Sequence, residues 1–328
     1  MAKSENQKLK LLYIVQFLEK YTDENHYMTT QELIEKLDEV GIKAERKSIY
    51  HDISCLMEYG YEIEKKPSKL NGGFYMKKHT FELPELKLLV DEVSASKYIT
   101  PSKSKELIRK LEALASVHEA KQLQRQVYVA NRIKSQNESI FDNVDMIHNA
   151  ILENRMIQFR YYEYTIEKKI KYRREGKNYI ISPWAVTVAD ENYYLIGYDS
   201  QAGIIKHYRI DKMSEMQVLN EKRDGKEMFG QMDIVEYTNK MFGMFAGTEE
   251  LITIQFPNHL IGVVIDRFGK DIDIRKRDEN HFSIRARLLV SNQLYGWLAG
   301  MGPDIKILMP QDAHEKYTDY LKTLIGEL

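Results

Sequence analysis

Cysteine is all but absent from this sequence, with Cys55 the only one in 328 residues. That excludes an internal disulfide and any cysteine-based zinc site, and it suits a reducing compartment. There is no excess of one charge, because 48 Lys and Arg stand against 49 Asp and Glu. No bulk field draws the chain to DNA or membranes, so any nucleic-acid surface has to be a local patch. No apolar run approaches the ~18 residues of a membrane-spanning helix, and Met1 to Asn6 is too polar for a signal peptide, which points to the cytoplasm and away from membranes. Catalytic motifs are missing as well. The nine histidines include no His-Glu-x-x-His pair, and no Gly-x-x-x-x-Gly-Lys loop occurs. His314-Glu315 lacks a second histidine, while Glu249-Glu250 and Asp23-Glu24 sit where helices begin or loops bend. Nothing assembles a nucleophile, base and orienter, so the expectation is no enzyme, no metal and no cofactor.

What is present is a chain that can build cores, with 43% apolar and 30% charged residues. Its length exceeds the ~250 residues at which single cores stop growing, so two or three domains of an α+β protein are expected. Residues 1–80 read as three helices and a hairpin. Leu11, Ile14, Val15 and Leu18 recur at helical spacing, and Thr29 with Glu32 is a capping-box pattern opening a second helix that Gly41 ends. A third helix runs from about Arg46 to Tyr59, with Gly60 as its stop. Tyr61 to Ile63 and Phe74 to Met76 then form two short strands around Asn71-Gly72-Gly73. This is the order of a winged helix-turn-helix.

Residues 81–138 form a helical connector, with helices expected over Glu85 to Ile99 and Lys103 to Gln124 after Pro84 and Pro101. Leu86, Leu89, Val90 and Val93 face the first, and Leu107, Leu111 and Leu114 the second. In residues 139–220 a helix near Asp142 to Glu153 precedes short strands at Ile157 to Tyr164, Lys168 to Arg174, Tyr179 to Ile181, Tyr193 to Tyr198 and Ile204 to Ile210. Strands so short and regular suggest a small barrel or sandwich. Residues 221–247 are a linker with a short helix from Asp233 to Phe242. Residues 248–328 read strand, helix, strand, strand, helix, strand, helix, a ferredoxin-like order. The strands are Leu251 to Phe256, Ile272 to Arg277, His281 to Leu289 and Ile305 to Met309. The helices are Asn258 to Phe268, Asn292 to Ala299 and Gln311 to Ile325.

On the third helix Ile49, Ile53, Leu56 and Met57 fall on one core stripe. Lys47, Tyr50, His51 and Ser54 share the opposite face, with Arg46 and Ser48 in the first turn. A recognition helix needs this division, because outward side chains reach base edges while the back packs on the domain. An ordinary solvated face would have the same pattern, and the short turn before and hairpin after the helix favour DNA binding. From Lys65 to His79 there are five lysines and no acidic residue, although residues 1–80 balance 13 basic against 13 acidic side chains. Lys65, Lys66 and Lys69 on such a wing would contact phosphate without reading sequence. Cys55 falls outside both stripes and reads as structural.

These residues carry a resemblance. Lys47-Ser48-Ile49-Tyr50-His51-Asp52, Leu56, Gly60-Tyr61 and Gly72-Gly73-Phe74-Tyr75 resemble the N-terminal domain of the WYL-domain transcriptional regulators, with His51 where that family usually has arginine. Ser182-Pro183-Trp184, Tyr193 to Tyr198 and Tyr208 to Met213 resemble the WYL module itself, with Tyr193 at the naming tryptophan position and Lys212 where arginine is common. Phe268-Gly269 and Trp297 to Gly302 are similar to the family's C-terminal extension. The resemblance implies an Sm-like β-barrel that binds a nucleic-acid or nucleotide-like effector. By position it implies roles for Ser182, Tyr194, Arg209 and, less directly, His207.

Read on its own, the segment 160–177 holds seven basic side chains against three acidic ones, with Arg160, Tyr162 and Arg173 among its basic and aromatic residues. Cations beside stackable rings suit single-stranded nucleic acid. A hairpin with one solvated basic face and one tyrosine-packed face would look the same. The resulting expectation is a sequence-specific DNA-binding regulator whose WYL domain senses such an effector. The resemblance adds a homodimer on a double-stranded palindromic operator. The alternative is an RNA-binding or nucleic-acid-sensing adaptor acting through the basic barrel.

Overall fold

The computed structural model describes residues 7–67, 72–77, 79–123, 134–230, 233–244 and 247–326. Lys69, Asn71, Lys78 and Gln124 therefore lie outside the described residues. The chain divides into two compact units of mixed helix and sheet, Met1–Glu138 and Ser139–Leu328.

In the first unit α1 (Lys10–Tyr21), β1 (Met28–Thr29), α2 (Thr30–Glu39) and α3 (Arg46–Tyr59) precede the hairpin β2 (Ile63–Lys66) and β3 (Gly73–Met76). Ile14 and Leu18 of α1, Leu33 and Leu37 of α2, and Ile49, Ile53 and Leu56 of α3 meet in one core with Ile63, Phe74 and Met76. The capping box is formed, as the Glu32 amide donates to Thr29 Oγ1 at 3.2 Å and the Thr29 amide to Glu32 Oε2 at 2.6 Å. Gly60 ends α3 at φ +117°, where a side chain would be strained, and the Tyr61 amide still bonds back to Leu56 O at 3.0 Å. That cap explains why β2 begins at Ile63 and runs to Lys66 instead of covering Tyr61 to Ile63. Thr22 ties α1 to the hairpin: its buried hydroxyl donates to Leu18 O and accepts the Met76 amide at 2.9 Å.

The connector holds three helices, α4 (Leu83–Ala95), α5 (Pro101–Glu112) and α6 (Val117–Leu123). The long second helix of the sequence reading is split because Ser116 starts a new one, its hydroxyl accepting the Glu119 amide at 3.1 Å. α4 stops at Ala95, and Lys134 Nζ donates to Val93 O in its last turn and to Ser96 O just past its end. Leu89 and Leu114, expected on apolar faces, are exposed.

The second unit opens with α7 (Ile140–Leu152) against a curled six-stranded sheet. Its strands are β4 (Arg155–Tyr164), β5 (Ile170–Tyr172), β6 (Tyr179–Ala189), β7 (Asn192–Asp199), β8 (Ile204–Arg209) and β9 (Met213–Lys222). The order is β5-β4-β6-β7-β8, and β9 pairs with β4. The strand β9 was not expected, because its end, Asn220 to Lys222, is polar and exposed and the strand shows no regular apolar alternation. β6 is far longer than Tyr179 to Ile181, continuing through a register shift between Pro183 and Ala185. β5 stops at Tyr172, where Arg173–Gly176 turns the chain with Arg174 and Glu175 in left-handed geometry.

A strap with α8 (Lys226–Phe229) and α9 (Ile234–Asn239) leads into a four-stranded sheet under three helices. This part runs β10 (Thr248–Pro257), α10 (Ile261–Phe268), β11 (Asp273–Lys276), β12 (His281–Val290), α11 (Asn292–Ala299), β13 (Lys306–Met309) and α12 (Gln311–Ile325). All its pairings are antiparallel, in the order β11-β12-β10-β13. Ile252, Ile254 and Phe256 of β10 alternate with polar neighbours and meet Ile284, Ala286 and Leu288 of β12 in the core.

Candidate functional site

Two surfaces carry the candidate residues, one in each unit. On α3, Arg46, Lys47, His51 and Ser54 are exposed while Ile49, Ile53 and Leu56 are buried. Helical spacing alone produces this division, since positions 47, 51 and 54 lie on the face opposite 49, 53 and 56. Met57, expected in the core stripe, is 52% exposed. Tyr50 is only half-exposed. Its ring meets Phe74 edge-on at 5.7 Å between centroids, and Arg46 and Lys65 approach its face.

Ser48 does not join the outward set. It is half-buried and accepts a hydrogen bond from Lys10 Nζ, which also pairs with Asp52 at 2.7 Å. Of the hairpin lysines, Lys65 reaches over Tyr50, whereas Lys66 Nζ donates to Glu24 O at 3.0 Å. Lys77 is held by Glu64 at 2.6 Å. His51 Nε2 lies 3.7 Å from Cys55 Sγ one turn on.

In the second unit a cavity of about 560 Å³ opens among β4, β6, β7, β8, the left-handed turn after β5 and the strap at Gly243-Met244. Its walls are tyrosines and cations. Tyr161, Tyr179 and Tyr208 pack ring against ring at 5.5–6.0 Å around Phe159, and Tyr194 stands across the β7–β8 ladder from Arg209. The Tyr208 hydroxyl is buried and, among the described residues, has no hydrogen-bond partner. Such a group costs on the order of 1–3 kcal/mol until something bonds to it.

The cations are preset by carboxylates. Arg209 grips Asp211 with both Nε and Nη2, at 3.0 and 2.9 Å, and the carboxylate raises the guanidinium's pKa. Arg173 bonds Glu163 at 2.9 Å, and Arg174 lies 4.3 Å over the Tyr179 ring. Lys206 bonds Asp199 at 2.6 Å. Burial alone would raise Asp199, yet Lys206 and the Ala202 and Gln201 amides outweigh it and hold the acid below its usual value. Burial pushes the His207 imidazole below its ordinary pKa, against a smaller opposing hydrogen bond to the Met244 backbone. His207 Nε2 also lies 3.2 Å from the Tyr237 hydroxyl on the strap.

Arg173, Tyr194, His207 and Arg209 are thus brought together. Three other residues singled out in the sequence are placed elsewhere. Ser182 is fully buried and accepts the Asp224 amide at 2.8 Å, away from the cavity wall. Tyr162 is buried, its hydroxyl donating to Asp211 O at 2.8 Å. Arg160 stands opposite Ser214 of β9 and pairs with Glu215 at 2.9 Å. The Ser-Pro-Trp run clamps the strap instead. Trp184 Nε1 donates to Asp224 O at 2.8 Å, and its ring stacks on Phe229 at 4.9 Å with Arg223 on it at 4.2 Å. Tyr161, Arg174, Tyr179, Lys206 and Tyr208 were absent from the expected set. Tyr161 and Arg174 lay in the basic, tyrosine-rich stretch 160–177 and Tyr208 opened the Tyr208 to Met213 run, while Tyr179 and Lys206 carried no such signal, and none of this says which side chains turn inward.

Among the described residues, no cluster of three or more His, Cys, Asp or Glu could hold a metal ion, and no helix is long and apolar enough to cross a membrane. No curated protein matches the chain. Among solved structures the chain is similar to proteasome accessory factor B/C (PafBC) of Arthrobacter aurescens, at 16% identity over 99% of this chain and 49% of that one, with a TM-score of 0.27. The chain therefore spans about half the length of that relative. A second similar structure is a CRISPR Cas-related protein, at 16% identity over 75% of this chain and 70% of that one, with a TM-score of 0.37. The family model for the WYL domain matches residues 142–218, from α7 into β9, and the curled sheet with its tyrosine-walled cavity is accordingly a WYL domain.

Proposed function

We propose that this protein is a non-enzymatic, cytoplasmic, sequence-specific DNA-binding transcriptional regulator whose WYL domain takes a nucleotide-like or nucleic-acid effector. In this reading α1–α3 with the β2–β3 hairpin are a winged helix-turn-helix, the WYL sheet is an Sm-like barrel, and β10–α12 is a ferredoxin-like extension. A homodimer would place two copies of α3 on a palindromic operator, half-sites one helical turn or a multiple of it apart. The observation that carries the reading is the division of α3, with Lys47, His51 and Ser54 outward and Ile49, Ile53 and Leu56 in the core, beside a hairpin that offers Lys65. The cavity supports the effector half of the reading. Guanidiniums over tyrosine rings suit phosphates joined to bases, and a ligand's polar atom would satisfy the Tyr208 hydroxyl.

Selection from fragmented source DNA at about physiological salt tests the reading, since non-specific phosphate binding is weakened there. Recovery of a few fragments sharing a palindrome is the expected result. Uniform recovery, with or without a short single-stranded oligonucleotide added as effector, would overturn it.

A further inference from the structure

A second cavity lies within the first unit, where the connector helices meet α1. It measures about 380 Å³ and opens between the C-terminal half of α1, His79 and Thr80 after β3, and the turn from α5 into α6. That is within the range of small-molecule sites. Polar contacts hold its walls together. The Ser116 hydroxyl at the start of α6 donates to Asp23 Oδ2 at 2.6 Å, just past the end of α1, and Asp23 Oδ1 accepts the Asn25 and His26 amides. The rings of His26 and His118 stack beside this contact at 3.7 Å between centroids. With α6 seated on the end of α1 in this way, the space between them is part of the fold.

The lining holds charges that do not neutralise one another. Glu19 and Lys20 of α1 are exposed, and Glu112 of α5 is half-buried. Among the described residues none of the three is ion-paired, whereas Glu106 one turn before Glu112 holds both Lys103 and Lys110. Both carboxylates stand in the last turns of their helices, where the helix dipole is negative and favours a cation. His79 lines the same space, and among the described residues its Nε2 is buried without a hydrogen-bond partner. Leu114, Val117 and Ala120 supply an aliphatic wall.

We propose that this cavity binds a free amino acid with an aliphatic side chain, its ammonium on Glu19 and Glu112, its carboxylate on Lys20 and its side chain along Leu114, Val117 and Ala120. The charges select the class. Two carboxylates against one ammonium disfavour a plain anion, and a plain amine leaves Lys20 without a counterion. An apolar ligand would take all three charges out of water unpaired. A zwitterion matches both signs at once, and charge-assisted hydrogen bonds fix its orientation. The site is separate from the WYL cavity and does not rest on the DNA-binding reading.

The test is isothermal titration of the full chain with L-leucine. L-Leucinamide, which lacks the carboxylate, and isocaproate, which lacks the ammonium, are the matched probes. Leucine is expected to bind, and each probe to bind about tenfold more weakly, as one lost charge-assisted contact requires. Lys20→Met is expected to weaken leucine by a similar factor and to leave leucinamide unchanged. Glu19→Gln with Glu112→Gln is expected to weaken both. Thermal melts check that the variants fold, and if the double glutamine variant melts early, Glu19→Gln alone takes its place. The proposal is overturned by no leucine binding at millimolar concentration, by either probe binding as tightly as leucine, or by unchanged leucine affinity in Lys20→Met.

Discussion

Lys10 on α1 and Asp52 on α3 form an ion pair at 2.7 Å with both side chains about one-tenth exposed, and Lys10 also donates to Ser48 on α3. The helix that carries the outward Lys47 and His51 is thereby fixed to the scaffold through its inner polar residues. Burying charge is tolerated here because each group has its counterpart, and removing one partner strands the other. Asp52→Ala should cost about 3 kcal/mol, and Lys10→Met with Asp52→Leu should restore much of it. Urea denaturation of the three proteins checks this, and equal stability of single and double variants would contradict it.

The two kinds of polar residue on α3 should separate cleanly in binding assays. Lys47→Ala with His51→Ala should weaken operator binding by about 1–3 kcal/mol per lost contact while leaving the melting temperature near that of the parent, because both side chains are exposed. Ser48→Ala should do the reverse, lowering stability through Lys10 and changing operator affinity little. Mobility shifts beside thermal melts distinguish the two. Unchanged affinity in the double variant would remove α3 from the DNA contact.

His207 should give the second unit a stability that depends on pH below neutrality. Burial depresses its folded pKa under the ~6.5 of an unfolded chain, so the imidazole stays neutral in the folded protein. The unfolded state then binds more protons between the two values. The contribution is fully present above about pH 6.5 and is lost as pH falls through the folded pKa. His207→Gln should flatten the fall in melting temperature between about pH 7 and 5. An identical pH profile in the variant would refute the assignment.

Trp184 is expected to act on stability before it acts on any ligand. Its ring is shared by Phe229 and Arg223, and its indole N–H is taken by Asp224 O. Trp184→Ala should cost about 2 kcal/mol, with Trp184→Phe keeping the stack and losing only about 1 kcal/mol. Gly225→Ala should be as damaging, because a Cβ there would stand 2.6 Å from Tyr198 Cγ at a φ of +83°. Denaturant melts rank these variants, and a Trp184→Ala protein as stable as the parent would show that the clamp carries nothing.

Local periodicity was enough to place most elements. The faces of α1 to α3 follow from Leu18, Leu33, Ile49 and Ile53 at helical spacing, the start of α2 from Thr29 and Glu32, and the ends of α11 and α12 from their own residues. These features depend on neighbours within a few positions, which the sequence states directly. Partner choice over long distances was not stated. β9 is a strand because β4 offers it an edge, and Ser48 turns inward because Lys10, 38 positions earlier, reaches it. The cavity is the clearest case. Tyr161, Tyr179 and Tyr208 come from three strands, Arg174 from a left-handed turn and Met244 from the strap, so composition announced cations and rings while only the curl of the sheet decided which of them converge.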